Sequence, residues 1–281
     1  MLLDLYRAAL AAVRGDTCTA HALRRNPLVG TVHAVAVGKA AAAMLAGAHT
    51  VLQQRLRYAL LITKPGHAAG PWPAHWNVIE AGHPLPDEYS LHAGHRLLDG
   101  LDRASADVQW LFLISGGASS LIEVLPEAVT LGDLQRLNAW LLASGWSIER
   151  MNAVRRRVSC IKSGRLLSHL AGRNVRALFI SDVPNDDPRF IGSGPLTADA
   201  TVLTEPIDDA PPRLRALLSA ASALPALDDN CFASVDYTIV ARLADAKQAA
   251  IATAERHGIA ARVMPRFTQG DAAAAGAALA R

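Results

Sequence analysis

The stretch Gln109-Trp110-Leu111-Phe112-Leu113-Ile114-Ser115-Gly116-Gly117-Ala118-Ser119-Ser120 decides how the rest of the chain is read. Its first half is apolar after Gln109, the pattern of a strand buried on both faces rather than on one. It passes without a spacer into two glycines and three serines, so this loop sits at a strand's carboxyl end. Two other segments have the same form. Residues 31–37 (Thr-Val-His-Ala-Val-Ala-Val) end at Gly38-Lys39, and residues 175–181 end at Asp182 and a loop rich in Gly, Pro and Asp that runs to Pro195.

Working outward, strands are expected at 58–63, 76–80, 235–240 and 260–264. Helices are expected over 1–14, from 40 to about 55, and over 88–101, 131–143, 147–157, 162–171 and 243–257. A surface helix is expected within 205–230, and an Ala-rich helix from about 269. Apolar strands alternating with helices define the α/β class: a Rossmann-like, mostly parallel sheet with helices on both faces. No internal repeat of fixed period and no long low-complexity linker interrupts it.

Composition excludes several classes. Hydrophobic residues make up 51% of the 281 residues and charged ones 19%, which is ample for a core and unlike a disordered chain. The net charge of +3 is small and dispersed, Arg155-Arg156-Arg157 being the one tight basic run, so no nucleic-acid partner is expected. No apolar run reaches the ~18 residues of a spanning helix, and the N-terminus lacks the pattern of a signal peptide. Cys18, Cys160 and Cys231 are far apart and form neither a disulfide framework nor a zinc pattern, which points to a cytoplasmic protein.

Three strand ends carry residues suited to chemistry, since ligands of open parallel sheets bind there. Lys39 stands at the start of a helix. On spacing alone it reads as a surface residue, the alternative being that it helps hold an anion. No Walker A loop is present. In the 115–120 loop, Ser115, Gly116, Gly117, Ser119 and Ser120 offer amides and hydroxyls as an anion cradle, against the plainer reading of a tight turn with Ser119 as a cap. After residue 181, Asp182, Asp186 and Asp187 suit Mg²⁺, against a solvated acidic turn, and Ser193 and Gly194 lie in the Gly-Ser-Gly-Pro tail of that loop. Asn152, Arg155 and Lys162 belong to a basic stretch that is either a solvated face or the lining of an anionic pocket. His83 before Pro84 reads as structural. No G-x-G-x-x-G follows a strand, which counts against a Rossmann-bound nicotinamide.

Taken in order, these motifs resemble the glycerate 2-kinase family, whose longer members carry a C-terminal MOFRL domain. The resemblance rests on Val37-Gly38-Lys39-Ala40-Ala41, on the 80–87 stretch Glu-Ala-Gly-His-Pro-Leu-Pro-Asp, and on the 114–121 stretch. It continues through Ser144-Gly145, Asn152-Ala153-Val154-Arg155, the 159–166 stretch, Ser181-Asp182-Val183-Pro184 and the 191–195 stretch Ile-Gly-Ser-Gly-Pro. It implies an ATP- and Mg²⁺-dependent transfer of phosphate to the 2-hydroxyl of D-glycerate. It also implies Lys39 and Asp182 as catalytic residues, and Ser115, Gly116, Gly117, Ser119, Ser120, Ser193 and Gly194 around the nucleotide. Lys39, Asn152 and Arg155 would meet the substrate, and Asp182 with Asp186 the metal. Ala118, Ser163 and Asn185 stand where the family usually has Gly. Members are also often labelled hydroxypyruvate reductase, the second expectation for the activity. The resemblance further implies that residues 1–281 are one α/β domain and that a MOFRL-type second domain is absent. The chain alone is then expected to turn over little and to regain activity when the missing half is supplied in trans; a homo-oligomer or a separate partner carrying that domain is expected, the alternative being a non-catalytic subunit of a split kinase.

Overall fold

The computed structural model describes residues 1–146, 148–197, 207, 210–221, 235–264 and 272–279. The chain divides into two compact units, Arg14–Arg242 and a smaller one of Met1–Val13 with Leu243–Arg281. The smaller unit contains α1 (Leu2–Ala12), and the larger begins with α2 (Gly15–Arg25). The larger unit continues through β1 (Val32–Val37), α3 (Ala41–Leu52), β2 (Leu56–Thr63), β3 (Asn77–Glu80), α4 (Glu88–Arg103) and β4 (Gln109–Ile114). Then come the short α5 (Ala118–Leu121), α6 (Leu131–Ala143), α7 (Ile148–Arg157), β5 (Val175–Ile180), α8 (Pro212–Ala221) and β6 (Val235–Ala241). The smaller unit also holds α9 (Leu243–Arg256) and α10 (Ala272–Leu279).

All six strands are parallel and lie in the order β3-β2-β1-β4-β5-β6. Because successive side chains of a strand point to opposite faces, the apolar strands feed two cores. Val35, Val37, Leu60, Ile62, Phe112, Ile114 and Phe179 pack with Ala93, Leu97 and Leu101 of α4 on one face. Ala34, Ala36, Leu61, Leu111, Leu113 and Leu178 pack with Met44, Leu45, Ala48 and Leu52 of α3 and Leu23 of α2 on the other. A third cluster joins α6, α7 and α8 through Leu137, Leu141, Val154, Val158 and Leu218. Two helices start where sequence provides reciprocal caps: Asp87 with Ser90 for α4, and Thr130 with Asp133 for α6.

Several expectations are corrected. The sequence reading had no helix over Gly15–Arg25. It forms because α2 packs closely on α3, where a Cβ on Gly47 would lie 2.2 Å from the Asp16 carbonyl oxygen. Residues 260–264 form no strand; they are exposed, and none of the described strands pairs with them. The helix expected over 162–171 is a 3-10 turn, Arg165–Leu170. Of the 205–230 segment, Pro212–Ala221 is helical and residues 222–230 lie outside the described residues, as does Cys231. Among the described residues no helix is long and apolar enough to cross a membrane.

Candidate active site

The chain fills the sheet outward from β1 through β2 to β3, then returns to place β4, β5 and β6 on the other side of β1. Strand order therefore reverses between β1 and β4, the position where sheets of this kind open a crevice at their carboxyl ends. Register sets the neighbouring strand ends level: Val37 lies opposite Ile114, and Ile114 opposite Phe179. Lys39, the 115–120 loop and Asp182 thereby leave the sheet side by side.

The first two strand ends are stitched together by main-chain groups. Ser115 N–H donates to the Val37 carbonyl (3.0 Å) and Lys39 N–H to the Gly116 carbonyl (2.9 Å). The Ala40 N–H donates to the buried Ser115 hydroxyl (3.0 Å), so that hydroxyl holds the turn rather than lining an open surface. A side chain at either of the next two positions would force a shift. A Cβ on Gly116 would lie 1.8 Å from Asp182 Oδ2. Gly117 has φ +89°, and a Cβ there would lie 2.9 Å from His83 Nε2 and 3.2 Å from Lys39 Cγ. The amides of Gly116 and Gly117 have no acceptor among the described residues. Around them stand Lys39 and Asp182, Nζ to Oδ2 at 3.7 Å and each about half exposed. His83 completes the rim. Burial first, then the charges of Lys39 and Lys64, hold its imidazole below the usual histidine range, with Asp182 acting in the opposite sense.

The remaining loop residues have other partners. Asp186 Oδ2 faces Arg242 Nε at 3.5 Å and Asp187 binds Arg189, so the three loop carboxylates meet three different cations. Among the described residues no group of three or more His, Cys, Asp or Glu is clustered to hold a metal. Ser193 is buried, and its hydroxyl lies 2.9 Å from that of Ser119. The carbonyls of Ser193 and Gly194 accept from the N–H groups of Ser163 (3.1 Å) and Gly164 (2.7 Å). These two residues brace the 115–120 loop against the 163–164 turn. Ser163 and Asn185 keep left-handed backbones (φ +54° and +63°) despite their side chains.

Behind Gly117 a cavity of about 160 Å³ opens, bordered by Ser119, Ser120 and His83 and floored by side chains from α6 and α7. Arg155 Nε donates to Asn138 Oδ1 (2.6 Å) and its Nη1 to Asn152 Oδ1 (3.1 Å). Deeper lies a closed ionic network. Lys162 Nζ is 2.5 Å from Glu123 Oε2, while Glu123 Oε1 accepts from the Ser159 hydroxyl (2.5 Å) and Val124 N–H (3.0 Å). Glu123 is fully buried and Lys162 nearly so. No sequence motif marks Glu123 or Asn138; the structure brings both to this cavity, with His83 at its border.

The family model described as "Domain of unknown function (DUF4147)" matches residues 1–210. A D-glycerate 2-kinase of Thermotoga maritima is 38% identical over 201 residues, 72% of this chain and 48% of that protein. A putative hydroxypyruvate reductase of Agrobacterium vitis is 36% identical over 257 residues, 87% of this chain and 64% of that protein. The crystal structure of a Thermotoga maritima glycerate kinase superposes with a TM-score of 0.75 at 30% identity, covering 92% of this chain and 62% of that one. The chain thus spans between about half and just under two thirds of the length of these relatives.

Proposed function

The chain belongs to the DUF4147 family, and with it to the glycerate 2-kinase family, and from that premise we propose that it binds ATP and D-glycerate for phosphoryl transfer to the 2-hydroxyl. The observation that carries this reading is the pair of acceptor-free amides at Gly116 and Gly117, set between Lys39 and Asp182 at the reversal of strand order.

Phosphoryl transfer asks for placement and charge more than for covalent help. The bond from the γ-phosphorus to the bridging oxygen of ADP breaks as the glycerate 2-oxygen bonds to phosphorus, and its hydroxyl proton passes to solvent water while ADP leaves. In the proposed arrangement the two glycine amides and the Ser119 hydroxyl receive phosphate oxygens, while Ser120, whose hydroxyl donates to the Gly117 carbonyl (3.2 Å), holds that loop in shape with Ser193 and Gly194. Lys39 balances the charge that spreads over the transferring group. Asp182 orients the attacking hydroxyl or holds metal. Mg²⁺ keeps most of its waters and takes one or two carboxylates, and when bound it neutralises phosphate charge. Half-exposed Asp182 fits that demand, whereas Asp186 would first have to leave Arg242. Arg155 and Asn152 face the substrate from the cavity.

A second reading, reduction of hydroxypyruvate, is favoured by the name of the Agrobacterium vitis relative. The turn after β1 places Lys39 where dinucleotide enzymes of this strand order put glycines, and so weighs toward the kinase. Titration of the chain with ATP and Mg²⁺, and separately with NADH, tests the choice through binding. Saturable ATP binding is expected. Saturable NADH binding with none for ATP overturns the kinase. A coupled ADP-release assay with D-glycerate, run beside NADH oxidation with hydroxypyruvate, reads turnover in the same preparation.

A further inference from the structure

The cavity behind Gly117 holds two cations whose partners differ in kind. Lys162 is met by a carboxylate, Glu123, inside a network that uses Ser159 and the Val124 N–H as well. Its charge is cancelled where it stands. Among the described residues Arg155 is met only by amide oxygens, from Asn138 and Asn152. These fix the guanidinium without neutralising it. Burial alone shifts its pKa, downward, and no carboxylate offsets that shift; a guanidinium nevertheless stays charged throughout the working pH range. Lys39 at the rim is opposed by Asp182. What remains is one uncompensated, half-buried positive charge held in a set orientation.

A pre-oriented guanidinium is shaped for a carboxylate, which it binds with two parallel hydrogen bonds. The volume of about 160 Å³ is below the roughly 300–1,000 Å³ of pockets that enclose drug-sized ligands. Size therefore admits a compact acid and not a nucleotide. Charge then narrows the choice. One carboxylate balances the cavity, a second would sit desolvated near Glu123 without a counter-charge, and a neutral polyol would leave Arg155 unmatched.

We infer that Asn138 and Asn152 are specificity-determining positioning residues: by holding Arg155 with neutral oxygens they make this cavity selective for a small monocarboxylate over dicarboxylates and neutral polyols of the same size. This rests on the substrate-binding role given to Arg155 in the proposed kinase, and deepens it from a named substrate to a rule of charge.

The test is calorimetric or NMR titration of the full chain, without nucleotide, using D-glycerate, tartronate and glycerol as probes of one, two and no carboxylates. Wild-type chain is expected to bind D-glycerate at least tenfold more tightly than either of the others. Asn138→Asp places a carboxylate against Arg155 and is expected to weaken D-glycerate at least tenfold while leaving glycerol no weaker. Asn152→Asp does the same from the more exposed side, and serves where Asn138→Asp fails to fold. A merely structural asparagine would weaken all three probes alike. Equal affinity for tartronate and D-glycerate, unchanged D-glycerate binding in a folded Asp variant, or no D-glycerate binding by wild type overturns the inference. Failure of the kinase reading looks different: D-glycerate binds with this charge preference, and ATP does not bind.

Discussion

Asp182 and Lys39 face each other at 3.7 Å across the ends of β5 and β1, with the Gly116 backbone so close that a side chain there would displace the Asp182 carboxylate. A half-exposed ion pair of this kind adds little to stability, about 0–1 kcal/mol. Its value lies in holding a cation and an acid beside two amides. Asp182→Asn is therefore expected to leave the melting temperature nearly unchanged and to weaken Mg²⁺-dependent ATP binding about tenfold, or about 1.4 kcal/mol. Asp107→Asn, at an exposed acid bonded to Ser105, is expected to change neither. Equal, negligible effects of the two in a nucleotide titration would return the loop to an ordinary acidic turn.

Gly117→Ala introduces a side chain at φ +89°, against His83 and Lys39. A left-handed non-glycine residue costs about 1–3 kcal/mol. Urea denaturation should show a loss in that range, and ATP binding should fall further, since the amide to which we assign a phosphate oxygen moves with the strained backbone. Full binding in a destabilised protein would separate the loop's conformation from its proposed use.

The buried pair Glu123–Lys162 makes an opposite demand. Removing one partner leaves a charge without water or counter-charge, which costs about 3–5 kcal/mol. Lys162→Met is expected to destabilise by about that amount, and Glu123→Gln with Lys162→Met to recover much of it. Denaturation midpoints of the single and double variants measure the coupling.

His83 has its pKa held below the ordinary 6.5, first by burial, then by Lys39 and Lys64, with Asp182 acting the other way. The unfolded chain then binds a proton more readily than the native one between the native pKa and 6.5. Stability contributed by neutral His83 is therefore present above 6.5 and is lost as pH falls through that window. In His83→Gln this part of the pH dependence disappears. Because His83 is exposed in the structure, the change in slope is small, and paired denaturation curves from about pH 5 to pH 7.5 are needed to read it.

Ser163 stands in a left-handed backbone with its hydroxyl buried and, among the described residues, without a hydrogen-bond partner. Glycine tolerates the same backbone without the side-chain penalty, so Ser163→Gly is expected to stabilise by about 1 kcal/mol. A denaturant midpoint at or below the wild-type value would show that the serine earns its place by a contact the backbone does not reveal.

Much of the frame was legible in the sequence because a strand covered on both faces has to be apolar at nearly every position, as Leu111–Ile114 and Ala34–Val37 are. Runs of that kind leave little choice but a parallel sheet. The helix over Gly15–Arg25 was not legible, since Gly15, Asp16, Thr17, Cys18 and Thr19 are poor helix formers, and it is packing against α3 that overrides their preference. The 115–120 loop, Lys39 and Asp182 could be marked as strand ends, but that Asp182 meets Lys39 while Asp186 turns to Arg242 depends on loop geometry. Glu123 carried no local signal at all. It is a single acid after Ile122, and its partner Lys162 lies beyond two intervening helices.

The reversal of strand order between β1 and β4 has a consequence for how the proposed ligand site is assembled. Lys39, the 115–120 loop and Asp182 are contributed by stretches separated by long lengths of chain, and none of them is anchored until β1, β4 and β5 have paired. Contacts of such high sequence separation form slowly and together rather than piecemeal. The crevice is thus incomplete until those three strands have paired: a chain lacking β5 would retain Lys39 and the glycine loop, yet have no Asp182 carboxylate beside them. A ligand held there in the manner we propose would report that these three strands have paired.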